Sequence, residues 1–422
     1  MLFRLSGYLT LLGALAATAT PLVRDKSPVS VPFTRTLNLT SGAKLVDMDR
    51  VRITNLMCGC NSKCGSDEKA LVQQKLSAAA TVFNTDATNG AVEYTMTVGV
   101  GSPATDYTLI VDTGSSNTWV GADQAYVKTS TSTSTGQTVE VTYGSGEFEG
   151  TEYTDTVTIG GSLAITEQSI GVASSSSGFS GVDGIIGLGP EELTCGTLTT
   201  DESACIPTVV QNAYSQGLIP AEELGISFAP ITGSSGSDTN GVLTFGGVDT
   251  SQYTGTLTYT DITTTEPASY YVGITQTVSY GTTTLFSDEA GIVDTGTTLI
   301  YIPSAGYKRY VSATGATLDD TTGLLRLSTA DFDKLDDMTF TIGGVEYTFT
   351  ANAQAWPRSL NTAIGGSTDY VYLVVSDMGS SGETGLEFIN GMTWLERYYF
   401  VYDAGSSQVG FATTQYTDAT TN

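Results

Sequence analysis

The sequence predicts an all-β protein with minor short helices, built from two related halves. Three observations predict it. From about Val92 onward, strand-like runs alternate with turns of Gly, Ser, Thr and Asp, as at Tyr94–Val100, Thr138–Tyr143, Thr154–Ile159, Val242–Phe245, Thr339–Ile342 and Val371–Val375. Helical windows are few and short, such as Thr208–Gly217 and Ser304–Val311. One segment also occurs twice, a half-chain apart.

Composition narrows the chemistry. The 422 residues carry a formal net charge of −27 and no His. Zero His removes every His-based triad and every His-ligated metal site. The acid excess argues against nucleic acid and against anionic lipid as partners. Charge is unevenly spread. Residues 1–85 hold ten bases and five acids, which leaves seven bases and 39 acids for the remainder. A +5 arm precedes a −32 body.

The arm opens with Arg4 and an apolar run from Leu5 to about Ala17, then small residues to Ala19. That pattern reads as a secretory signal over 1–19. The run is shorter than the ~20 apolar residues a membrane span needs, so the product is expected to be secreted and soluble, without a membrane partner. Residues 20–79 are basic, contain Pro21, Pro28 and Pro32, and lack the strand texture that follows. They read as a removable prosegment. Asn38-Leu39-Thr40 is the only N-glycosylation sequon, so a glycan on Asn38 would leave with it.

Of five cysteines, Cys58, Cys60 and Cys64 cluster in the arm. Three thiols without a fourth are a weak metal signal, and a transient redox or structurally bland role in folding is preferred. Cys195 and Cys205 are alone in the body. On a secretory route a disulfide is favoured over two free thiols, worth about 2–3 kcal/mol by loop closure and remote from any chemistry.

The repeated segment carries the chemistry. Residues 110–120 read Ile-Val-Asp-Thr-Gly-Ser-Ser-Asn-Thr-Trp-Val, and residues 292–302 read Ile-Val-Asp-Thr-Gly-Thr-Thr-Leu-Ile-Tyr-Ile. Asp112 and Asp294 lie 182 positions apart. Each ends an apolar strand. Gly114 and Gly296 are expected to allow a tight turn. The turn would aim backbone N–H groups at the carboxylate, and Ser115 and Thr297 can donate hydroxyl bonds to it. A single Asp-Thr-Gly is an ordinary turn; two in matched context point to a paired site.

These residues make the chain resemble the pepsin-type aspartic proteases from about Val92 to Thr414. Trp119 stands at the family's spacing after the first Asp, and Tyr143-Gly144-Ser145-Gly146 resembles the flap tip. Segments 183–189, 245–249, 389–391 and 398–403 resemble the family's remaining landmarks. Segments 99–105, 151–157 and 360–366 fit its basidiomycete fungal, polyporopepsin branch. Departures are Asn390 at a usually apolar place and Met392 where the family often carries Asp. The usual set of three disulfides is also absent.

The resemblance implies a bilobal fold, with an N-terminal lobe over 80–250 and a C-terminal lobe over 251–422. It implies a secreted, monomeric endopeptidase, made as a zymogen and active in acid on polypeptides. No cofactor or metal is implied, and pepstatin-type inhibitors are expected to bind. Two close carboxyls share one proton; Asp294 would be the base on a shared water and Asp112 the proton donor. Thr113 and Thr295 would brace the two loops. Tyr143 would close over the substrate, its hydroxyl meeting the Trp119 indole. Ile110, Phe179, Ile185 and Ile292 would line pockets that favour large apolar residues, although core packing explains them equally well.

The charge split suggests that the arm lies over the cleft as an intramolecular inhibitor, with a Lys near the aspartates, until acid weakens the attraction. Two other readings compete. A glycosidase also uses two carboxylates, but Trp119, Trp356 and Trp394 are too few for a sugar platform. An inactive pepsin-like binding protein would typically have lost one Asp-Thr-Gly, and both are intact.

Overall fold

The computed structural model describes residues 26–37, 45–58, 92–143, 146–201, 203–231, 237–380 and 382–421. The signal segment, the Asn38 sequon, Cys60, Cys64, Gly144 and Ser145 lie outside them. Among the described residues strands dominate, in three sheets of 13, 7 and 3 strands. The predicted helical windows appear as Val209–Ser215, capped by the Thr208 side chain, and Ser304–Thr314, closed by Gly315 in the left-handed region at φ 69°.

The arm is built into the fold. Its strand β1 (Val29–Leu37) runs antiparallel between Ser237–Phe245 and Val92–Val100 in the largest sheet. Val31 pairs with Leu243, and Thr34 with Thr95. Pro32 falls in the first half of β1, which pairs on one side only, the kind of position where a strand tolerates proline. Phe33 packs on Tyr94 and Phe228, which stack at 4.0 Å. Arg35 is buried and pairs with Glu396, Nε to Oε1 3.2 Å. A helix, α1 (Leu45–Cys58), follows, with Leu45, Val46, Ile53 and Leu56 buried.

Each half then repeats one arrangement. Strand Thr105–Asp112 lies parallel to Gly184–Gly187, which pairs antiparallel with Trp119–Val120. In the second half, Thr283–Val293 lies parallel to Phe388–Asn390, which pairs antiparallel with Ile300–Ile302. Chain leaving each aspartate therefore returns one strand away from the strand that delivered it, with the later parallel strand between the two. The halves are tied together where Glu223–Ser227 pairs with Tyr398–Asp403, making the largest sheet continuous across both. Trp119, Trp356 and Trp394 are all fully buried, so none is offered to a sugar ring. Cys195 and Cys205 are joined in a disulfide.

Candidate active site

Asp112 and Asp294 end their strands fully buried, at the junction of the two halves. The donors around them are matched. Gly114 N–H donates to Asp112 Oδ1 at 3.0 Å, and the Ser115 hydroxyl to Oδ2 at 2.6 Å. Gly296 N–H donates to Asp294 Oδ1 at 2.9 Å, and the Thr297 hydroxyl to Oδ2 at 2.5 Å. Donors of this kind favour the ionised carboxylate.

The two loops also hold each other. Thr113 N–H donates to Thr295 Oγ1 at 3.0 Å, and Thr295 N–H to Thr113 Oγ1 at 3.1 Å. The Thr295 hydroxyl continues to Val111 O at 3.0 Å. Each loop thus depends on the opposite half for its position.

The glycines act differently from the expectation. Neither Gly114 nor Gly296 has a left-handed backbone, so the turn itself does not require glycine. Space requires it. A Cβ at either position would meet Arg52 Nη2 first, and beyond it one on Gly114 would lie 2.6 Å from Asp294 Oδ1 and one on Gly296 2.6 Å from Asp112 Oδ1. Only hydrogen at both positions lets the carboxyls approach.

The residue between the carboxyls is an arginine, where a lysine was expected. Arg52 of α1 donates from Nη2 to Asp112 Oδ1 at 2.5 Å and to Asp294 Oδ1 at 2.8 Å, and from Nε to Asp294 Oδ2 at 2.7 Å. Burial works against the guanidinium charge, but the two carboxylates outweigh it and raise Arg52 above its ordinary value. Burial alone would raise Asp294; the Arg52 charge and bonds instead hold its carboxyl below the usual range.

The rest of α1 fits the cleft at helical spacing. One turn before Arg52, the Asp49 carboxyl accepts Thr298 N–H at 3.2 Å and Leu299 N–H at 3.1 Å. One turn after it, Asn55 Nδ2 donates to Tyr143 O at 2.6 Å, and Leu56 O accepts the Tyr271 hydroxyl at 2.9 Å. Asp49 and Arg52 entered the sequence reading only as charges and Asn55 not at all; their i, i+3, i+6 spacing beside buried Leu45 and Leu56 is the signal that could have found them.

Tyr143 follows strand Thr133–Thr142 at the turn into Glu147–Ile159. It joins Trp119, Phe148, Phe179, Ile110 and Ile185 in a separate apolar cluster. Trp119 stacks on Phe148 at 4.3 Å, and Phe179 meets it edge-on at 4.8 Å. The expected bond between the Tyr143 hydroxyl and the Trp119 indole is not made: both polar atoms are buried without a partner, the rings 6.4 Å apart. In this state the tyrosine is held through its carbonyl by Asn55. Ile292 is not part of this cluster; it is fully buried in the main core, paired with Ile389 and Gly273.

The two departures from the family pattern have physical settings. Asn390 is buried and exchanges two bonds with Gln276, at 2.8 and 3.2 Å, so its amide is satisfied in an apolar place. Met392 is fully buried, its N–H donating to Thr297 O at 2.8 Å.

The chain is similar to known proteins over most of its length. The family described as Eukaryotic aspartyl protease matches residues 93–414. Polyporopepsin of Irpex lacteus is 60% identical over 337 residues, 80% of this chain and 98% of that protein. Pepsin A of Sus scrofa is 30% identical over 339 residues, 76% of this chain and 81% of the other. The crystal structure of aspartic proteinase from Irpex lacteus superposes with a TM-score of 0.78 at 51% identity, covering 94% of this chain and all of that one. The chain belongs to the eukaryotic aspartyl protease family and is a pepsin-like aspartic endopeptidase.

Proposed function

We propose that Asp112 and Asp294 are the catalytic pair, and that the enzyme is secreted as a zymogen whose basic arm covers them. One observation carries the reading: oxygens of both carboxyls converge on a single Arg52 nitrogen, at 2.5 and 2.8 Å. Carboxyls that can share one nitrogen can share one water. With the arm gone, two such groups cannot both ionise cheaply and hold one proton between them. The ionised member takes a proton from the water as it attacks the scissile carbonyl, while the protonated member polarises the carbonyl oxygen. The tetrahedral diol collapses as the leaving nitrogen is protonated. The symmetry of donors around the two carboxyls leaves Asp294 as base and Asp112 as acid resting on family resemblance.

The arm blocks this chemistry by occupying the water's place with Arg52. The cluster of Ile110, Phe179 and Ile185 beside Tyr143 supports a preference for large apolar residues around the cut. Denatured haemoglobin incubated with the secreted protein at about pH 3–5 should be degraded, and pepstatin should stop it. Degradation untouched by pepstatin would refute the assignment.

A further inference from the structure

The two halves differ behind their aspartates. Each aspartate is delivered by a strand that lies between two others. These are Val92–Val100 and Gly184–Gly187 in the first half, and Gly273–Tyr280 and Phe388–Asn390 in the second. In the first half Ile186 pairs with Val111 and Val98 with Tyr107, and Ile186 and Val98 are fully buried in the main core. The same ladder positions in the second half hold Asn390, opposite Val293, and Gln276, opposite Glu289. Both are buried as deeply as their apolar counterparts. Asn390 Nδ2 donates to Gln276 Oε1 at 2.8 Å, and Gln276 Nε2 donates to Asn390 Oδ1 at 3.2 Å. The amide pair therefore bridges the strand that delivers Asp294.

Asn390 also meets the Asp294 loop through its backbone. Its carbonyl accepts the Asp294 N–H at 3.2 Å. The residues after it continue the contact, with Met392 N–H donating to Thr297 O at 2.8 Å and Thr393 N–H to Thr298 O at 3.1 Å. A reciprocal amide pair enforces one setting, because any slip leaves buried donors and acceptors unpaired. Apolar side chains at the same places tolerate several packings.

We propose that Gln276 and Asn390 are positioning residues for Asp294. Their paired amides fix the carbonyl that holds the Asp294 N–H, and with it the place of the second carboxyl beside the first. The proposal rests on the peptidase reading and adds to it a support that the first half lacks at the matching positions.

The test uses the full chain after acid conversion and one fluorogenic peptide. Turnover is counted per pepstatin-titrated site, and stability is read from denaturant midpoints. Gln276→Leu leaves Asn390 unpaired and should lower both midpoint and kcat, with KM within about twofold of the parent. Gln276→Val combined with Asn390→Ile repeats the apolar pair of the first half. Its midpoint should return to that of the parent, because removing both partners together is nearly neutral. Its kcat should stay at least about tenfold low. Parent kcat in either variant would make the pair ordinary core packing and overturn the proposal. Should the double variant fail to fold or stay unstable, Gln276→Glu decides. Its protonated carboxyl can take both bonds, and its ionised form cannot donate. Relative to the parent, its kcat should be equal at about pH 3 and at least about tenfold lower by about pH 6. A ratio that does not change over that range would overturn the proposal. A parent that cuts no peptide would instead overturn the peptidase reading, and this inference with it.

Discussion

Arg52 grips Asp294 with two parallel bonds, Nε to Oδ2 at 2.7 Å and Nη2 to Oδ1 at 2.8 Å. This fork keeps the Asp294 carboxyl below its ordinary value against the pull of burial. A depressed carboxylate contributes its hold above the free value of about 3.9 and loses it as pH falls through the lower bound value. Arg52 itself stays charged throughout. Release of the arm through this contact therefore calls for acid below about pH 4. Arg52→Met leaves two buried carboxylates without a counter-charge, which costs about 3–5 kcal/mol. Loss of the arm, followed on gels at about pH 5, should accelerate roughly 100-fold. An unchanged rate would show that Arg52 does not hold the arm.

Asp49 titrates in the opposite sense. Burial raises it to about 6, against the backbone bonds that favour its ionised form. Its contribution to docking is fully present below the free value of about 3.9 and is lost as pH rises through about 6. The parent's melting temperature should therefore rise relative to that of Asp49→Asn as pH is lowered from 7 to 5. Thermal melts that stay parallel across that range would refute this role.

Glu152 makes a second pH-sensitive point. It is 3% exposed, bonded to the Ser169 hydroxyl through Oε1, with Oε2 unpartnered. Burial raises its carboxyl to about 7. Its contribution is present below the free value and lost as pH climbs through about 7, reaching about 3 kcal/mol above it. Glu152→Gln should flatten the loss of stability between about pH 5 and 7, read by denaturant midpoints. A variant that loses stability as steeply as the parent contradicts this.

Gly296→Ala tests the close approach of the carboxyls. The added methyl would sit 2.6 Å from Asp112 Oδ1, so the pair must separate. A displacement of this size at a reacting centre costs on the order of 100-fold in kcat. Peptide hydrolysis within a few-fold of the parent would mean that the spacing is not critical.

The site is built partly from local sequence pattern and partly from tertiary placement. The Asp-Thr-Gly copies, their apolar strands and the hydroxyls after them are local patterns, and the geometry around Asp112 and Asp294 follows from them. Arg52 was visible only as one of ten basic residues in the first 85. Its role depends on which face of α1 meets the cleft, a tertiary fact. The reason for Gly114 and Gly296 was also hidden, because the carboxyl oxygen each must avoid lies 180 and 184 positions away respectively, in the other half. Insertion of β1 into the largest sheet required partners from both sides of it, and no local pattern in the arm names them.

The central claim is that Asp112 and Asp294 act as one unit. Kinetics of the acid-converted enzyme on a single peptide, with Asp112→Asn and Asp294→Asn alone and together, tests it most directly. Each single variant should lose at least about 1,000-fold in kcat, and the double variant should be little worse than either, because residues acting as a unit are not additive. Activity that survives Asp112→Asn, or losses that multiply in the double variant, would contradict the account.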